Sequence, residues 1–184
     1  MTLPNAISLA RLILVPVFAW LQIAERPLAA LVVFIVAAVS DGIDGLLARL
    51  LDQRTALGAI LDPLADKLLG FTALLLLVVS GDLPLWLLGF SLLRDLVVFG
   101  VSVSTRIADL PLSAAPTRIS KYATFFVMAT VTLALLARSP RVGEPMLPWL
   151  ASIGTIAAEC LVVATVQYAL LWRALLQGME ASRG

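Results

Sequence analysis

The sequence predicts an all-α fold: a polytopic membrane protein of six transmembrane helices, both termini cytoplasmic, forming one domain over residues 1–184. Three observations carry this. Hydrophobic residues make up 61% of the chain and charged ones 14%, with a mean hydropathy of +1.02. A water-soluble domain has no interior large enough for that much apolar surface, so the solvent for most of the chain is lipid. The apolar residues fall into six runs, near 7–24, 28–50, 56–80, 84–106, 118–138 and 147–173, each close to the ~20 residues that cross a bilayer as a helix. Finally, Lys and Arg are divided unequally between the two sets of connections.

The N-terminus MTLPNAISLAR has no basic segment ahead of its apolar stretch, and the first run reads as a retained helix rather than a cleaved signal. Runs two and three are joined through SDGIDGLLARLLDQRTALGAILDPLAD at 40–66. Gly81-Asp82-Leu83-Pro84 is a tight turn before run four, Pro111 and Pro116 bracket a longer loop before run five, and Ser139-Pro140-Arg141 turns the chain into run six. With the N-terminus inside, Arg11, Arg49, Arg54, Arg106, Arg118, Lys121, Arg173 and Arg183 lie on the cytoplasmic side. Arg26, Arg138 and Arg141 lie outside. Eight against three sets the orientation. Trp20, Trp86 and Trp149 fall at outer span ends, where interfacial anchors belong.

Composition also excludes functions. A net charge of +1 gives no basis for binding nucleic acid. The single cysteine, Cys160, rules out an internal disulfide or a multi-cysteine metal site and reads as a packing residue. With no histidine there is no Ser-His-Asp chemistry and no His-ligated zinc. Proton transfer falls to carboxylates, Lys, Tyr or water.

Five of the eight aspartates lie within 40–66. Asp52 and Arg54 belong to a solvated turn. Asp41 and Asp44 near the end of one run, and Asp62 and Asp66 near the start of the next, lie inside apolar helices, where ionisable groups are costly and mark function. Gly58, Asp62 and Asp66 are spaced i, i+4, i+8 along one helix face; Asp41, Asp44 and Ala48 share a face of the other, with Gly45 beside them. Four neighbouring carboxylates repel one another and take up protons unless cations hold them. Oxygen donors without His or Cys select hard ions, Mg²⁺ or Mn²⁺, and a pair of these can clamp a phosphoryl group. Arg49 follows as a phosphate partner. Residue chemistry alone leaves a cation or proton pathway as an equal reading. That reading requires polar residues through the bilayer, yet 28–39 and 67–80 are apolar apart from Lys67 and Ser80.

The pattern Asp41-x-x-Asp44-Gly45-x-x-Ala48-Arg49, eight residues, then Gly58-x-x-x-Asp62-x-x-x-Asp66 resembles the signature of the CDP-alcohol phosphatidyltransferase family at every fixed position. LPNAISLARLILVPVF at 3–18, LLRDLVVFG at 92–100 and RISKYAT at 118–124 extend the resemblance to its cardiolipin synthases and phosphatidylglycerophosphate synthases, weakening after about residue 135. The resemblance implies a membrane enzyme, commonly a homodimer. It moves a phosphatidyl group from CDP-diacylglycerol to an alcohol and releases CMP on the cytoplasmic side of the cell (inner) membrane. It further implies that Asp41, Asp44, Asp62 and Asp66 hold two divalent cations, Mg²⁺ or Mn²⁺, and that Asp66 is the general base. Asp44, Gly45, Ala48, Arg49 and Gly58 would line the CDP pocket.

For the acceptor, the resemblance implies Arg94, Arg118 and Lys121, with Asp95 beside them. Ser120-Lys121-Tyr122-Ala123-Thr124 carries one lysine where phosphatidylglycerophosphate synthases typically have two, and LLRD stands where the bacterial synthases often carry Arg-Glu. These features are similar to cardiolipin synthases, whose acceptor is phosphatidylglycerol. Phosphatidylglycerophosphate synthase, with glycerol 3-phosphate as acceptor, is the alternative. Glu159, mid-span in the last run, has no role in this reading beyond pairing or packing.

Overall fold

A computed structural model describes the backbone of residues 3–50, 58–107, 117–138 and 143–181, and side chains over 9–40, 64–105, 117–138, 145–174 and at 177. The expected turns at 52–54, 111–116 and 139–141 lie outside the described residues. Among those described, six helices and no strands occur: α1 Leu3–Ile23, α2 Pro27–Leu50, α3 Gly58–Val79, α4 Leu85–Ile107, α5 Arg118–Ala137 and α6 Gly143–Ala181. All six expected runs are helical, most ends falling within about three residues. The exceptions are α1, four residues longer at its start, and α6, which adds four residues before its run and eight after it.

Three stretches are long and apolar enough to cross a membrane, again among the described residues: Leu85–Thr105, Arg118–Ala137 and Pro145–Ala174. Leu9–Ile23 and Pro27–Ser40 are shorter apolar stretches.

The helices group into two compact units, residues 1–83 with 131–150, and residues 84–130 with 151–184. In the first unit α1 packs along both α2 and α3. Phe18 of α1 meets Phe34 of α2 with ring centroids 5.9 Å apart. Ala30 and Ala37 on α2, and Ala65 and Ala73 on α3, are fully covered; small side chains let helix backbones approach where lipid supplies no hydrophobic drive.

Two helix ends in this unit close in the same way. Gly81 takes φ +81°, its N–H reaches the Val78 carbonyl, and the Asp82 N–H reaches that of Leu77. This is a Schellman cap, in which left-handed backbone satisfies the last carbonyls of a helix. After α1 the same bonds run from Glu25 to Gln22 and from Arg26 to Leu21, but the left-handed position, φ +55°, belongs to Glu25. Arg138, just past α5, donates to Asp82 Oδ2 at 3.2 Å and to Ser80 Oγ at 3.3 Å, fastening the α3 cap.

In the second unit Val101 and Tyr168 form a buried pair with Val97, Val98 and Trp172 around it. The Trp172 ring lies against Gly100, where an added Cβ would come within 2.8 Å of the indole. Hydroxyls along the helices turn back on their own backbone: Ser102 donates to the Val98 carbonyl, Thr105 to that of Val101, Thr130 to that of Phe126 and Thr165 to that of Leu161. In a medium without water this is the nearest acceptor a hydroxyl can find.

Candidate active site

The signature is placed on two helices of the first unit. Asp41, Asp44, Gly45, Ala48 and Arg49 occupy the last three turns of α2. Gly58 opens α3, with Asp62 one turn and Asp66 two turns further on. The side chains of Asp41, Asp44, Gly45, Ala48, Arg49, Gly58 and Asp62 lie outside the described residues. Asp66 is half-buried and is engaged by a neighbour, and Lys67 beside it is exposed. Among the described side chains no three acids or cysteines gather at metal-binding distance; three of the four aspartates of interest fall outside that set.

The structure adds a residue that the sequence reading used only for orientation. Arg11, counted above on the cytoplasmic side, is 1% exposed and is the largest of the fully buried side chains among the described residues. It is carried by α1, the helix that packs along both aspartate-bearing helices. A guanidinium so enclosed cannot remain hydrated and must be met by protein groups; Arg11 is engaged. The available signal was its position inside an apolar helical run, rather than at its edge.

The acceptor-side candidates belong to the second unit. Arg94 on α4 is 7% exposed. Its Nη1 donates to Ser120 Oγ at 3.3 Å and its Nη2 to Thr124 Oγ1 at 3.2 Å, both on α5. Its Nε lies 3.2 Å from Asp95 Oδ1, close enough for an ion pair but off the line of a hydrogen bond. The LLRD and SKYAT segments, far apart in the sequence, are therefore clasped together by one guanidinium.

Arg118 and Lys121 are exposed in the first turn of α5. That turn is capped by Thr117, whose Oγ1 accepts the Ser120 N–H at 3.2 Å. The Thr117 N–H in turn donates to the buried Tyr168 hydroxyl of α6 at 3.1 Å. Tyr122 is exposed, as an interfacial residue would be. Cys160 is partly buried and Glu159 is exposed.

Comparison with known proteins agrees with the signature. The CDP-alcohol phosphatidyltransferase family model matches residues 1–176. A putative cardiolipin synthase of Mycobacterium bovis is 34% identical over 140 residues, 75% of this chain and 66% of that protein. A CDP-diacylglycerol–glycerol-3-phosphate 3-phosphatidyltransferase of Aquifex aeolicus is 38% identical over 131 residues, 69% of this chain and 71% of that protein. A cardiolipin synthase (CMP-forming)/mitochondrial hydrolase fusion protein of Schizosaccharomyces pombe is 33% identical over 166 residues, 82% of this chain; the chain spans only 27% of that protein's length. With an eight-residue signature set on two neighbouring helices and a match over nearly its whole length, the chain belongs to the CDP-alcohol phosphatidyltransferase family.

Proposed function

We propose that the protein transfers the phosphatidyl group of CDP-diacylglycerol to the hydroxyl of an alcohol, releasing CMP, with phosphatidylglycerol as acceptor and cardiolipin as product. The carrying observation is the complete aspartate signature on α2 and α3 within a chain matched by the family over residues 1–176. The acceptor reading is supported by the single lysine of Ser120-Lys121-Tyr122-Ala123-Thr124 and by the mycobacterial and fission yeast relatives named as cardiolipin synthases. The Aquifex relative favours a second reading, glycerol 3-phosphate as acceptor. Family membership removes the ground for reading the aspartates as an ion pathway.

The donor set fits divalent cations. Asp41, Asp44, Asp62 and Asp66 offer only carboxylate oxygens, which suit two ions of the Mg²⁺ or Mn²⁺ kind. Such ions supply charge neutralisation at the pyrophosphate. Gly45, Ala48 and Gly58 leave room for the cytidine diphosphate against the helices, and Arg49 supplies a fixed cation to its phosphates. The acceptor hydroxyl gives its proton to the Asp66 carboxylate as its oxygen attacks the diacylglycerol-linked phosphorus. The bond from that phosphorus to the CMP oxygen then breaks in line. Arg94, Arg118 and Lys121 serve the acceptor side.

In this reading all six helices span the cell (inner) membrane, both termini and the aspartates face the cytoplasm, and the working form is a homodimer. The test is an acceptor screen on purified protein with CDP-diacylglycerol and Mg²⁺ or Mn²⁺, offering phosphatidylglycerol and glycerol 3-phosphate separately and identifying the lipid product by mass. Asp66→Asn should abolish turnover while CDP still binds; full turnover in that variant removes Asp66 as the base.

A further inference from the structure

We propose that Arg94 is a positioning residue for acceptor binding, which acts by fixing the rotation of α5 rather than by touching the acceptor. The inference rests on the acceptor-side reading of Arg118 and Lys121 given above. Two of the three guanidinium nitrogens are engaged by α5: Nη1 by Ser120 and Nη2 by Thr124. The third, Nε, faces Asp95 on its own helix. At 7% exposure the group is enclosed where it stands. Little of its surface is left open to a phosphate arriving from outside.

The hydroxyls are set up to receive it. The Thr124 Oγ1 proton is directed to the Ser120 carbonyl at 3.2 Å, which leaves its lone pairs for Arg94. Ser120 and Thr124 are one turn apart and share a face of α5. At 3.6 residues per turn, Lys121 lies about 60° around the helix from Thr124, and Arg118 about 60° beyond Lys121. The forked contact to two hydroxyls one turn apart thus fixes the angle at which both exposed cations leave the helix. Only a planar guanidinium makes that contact; an ammonium at the same place is a single point of charge without the fork.

The second end of the same turn is held independently, by Thr117 to Ser120 and Tyr168 to Thr117. Loss of the clasp should therefore misdirect the cations more than it unwinds the helix. Displacements of about 1 Å in a positioning contact can change rates up to about a hundredfold.

Four variants separate the possibilities, assayed with phosphatidylglycerol in mixed micelles, or with glycerol 3-phosphate if the wild type uses that instead. Lys121→Ala should raise the acceptor KM about tenfold; an unchanged KM would overturn the acceptor-side reading itself. Arg94→Lys and the double variant Ser120→Ala/Thr124→Val should each raise the acceptor KM about tenfold. In both, kcat and the KM for CDP-diacylglycerol should move by much less. Arg94→Lys combined with Lys121→Ala should lose less than the two single losses multiplied together, because the clasp works in part through that lysine.

If Arg94 held the acceptor itself, Ser120→Ala/Thr124→Val would leave the acceptor KM near wild type while Arg94→Lys raised it. That pattern overturns the proposal, as does a full additive loss in the combined variant. Equal increases in both KM values would reduce Arg94 to a fold-holding role and overturn it too. The double variant removes no charge, and its thermal unfolding in detergent provides the control for folding.

Discussion

The Tyr168 hydroxyl, buried on α6, accepts the backbone N–H of Thr117 at 3.1 Å, and so closes one of the amides that precede α5. A helix start leaves donors without intrahelical partners, and in an apolar medium each must be met by something. Tyr168→Phe keeps the ring and removes only the acceptor. It should lower the stability of the folded state by about 1–3 kcal/mol, the cost of leaving a buried amide unsatisfied. The measurement is equilibrium unfolding in mixed micelles. An unchanged midpoint would mean that water reaches the Thr117 amide.

The contact between Gly100 and Trp172 has no space for a methyl group. A Cβ at position 100 would lie 2.8 to 3.2 Å from three atoms of the indole ring. Gly100→Ala should destabilise by about 1–3 kcal/mol through overpacking. Adding Trp172→Leu should recover part of that loss, because the smaller side chain vacates the volume. A lack of coupling between the two substitutions in thermal unfolding would show that α4 and α6 separate easily at this point.

The two Schellman caps make opposite predictions. Glu25 holds left-handed backbone at φ +55°, a conformation costing a side-chain-bearing residue about 1 kcal/mol. Glu25→Gly should therefore raise stability by up to about 1 kcal/mol. Gly81 already has the suitable residue at φ +81°, and a Cβ added there would meet nothing within 4 Å. Gly81→Ala should lower stability by about 1 kcal/mol through backbone strain alone. The pair is read from melting temperatures under identical detergent conditions, and shifts of the same sign would contradict the cap geometry.

Arg11→Met keeps an unbranched apolar stem while deleting the guanidinium of a residue that is 1% exposed. Removing a buried, engaged polar group leaves whatever meets it unsatisfied, at about 1–3 kcal/mol. The variant should melt well below wild type, and Arg11→Lys should fall between the two. Native-like melting of Arg11→Met would place the guanidinium in contact with water.

The outline of the fold was legible because apolar run length and turn residues are local properties: α4 and α5 begin and end within a residue of their runs. The aspartate signature was legible for a related reason, since fixed spacing along two helices survives in one dimension. What escaped were relationships between distant residues. Ser120 and Thr124 lie 26 and 30 residues from Arg94, and no periodicity in either helix announces that pairing. Arg11 reads as an anchor because an arginine near a span end looks the same in sequence whether lipid headgroups or packed helices receive it. At Glu25 the chain folds as if glycine stood there, because the reversal between α1 and α2 demands the conformation whatever the residue.

The placement of the indoles has a spectroscopic consequence. Trp20, Trp86 and Trp149 are exposed near helix ends, whereas Trp172 rests on Gly100 with its ring N–H shielded and bonded to none of the described residues. Replacing the first three with phenylalanine would leave a single fluorophore in the heart of the second unit. Its emission should be blue-shifted and poorly quenched by aqueous iodide while α4 and α6 remain in contact, and should redden when they part. The protein thus contains its own optical gauge for the unit that carries Arg94 and Lys121, readable without attaching a dye.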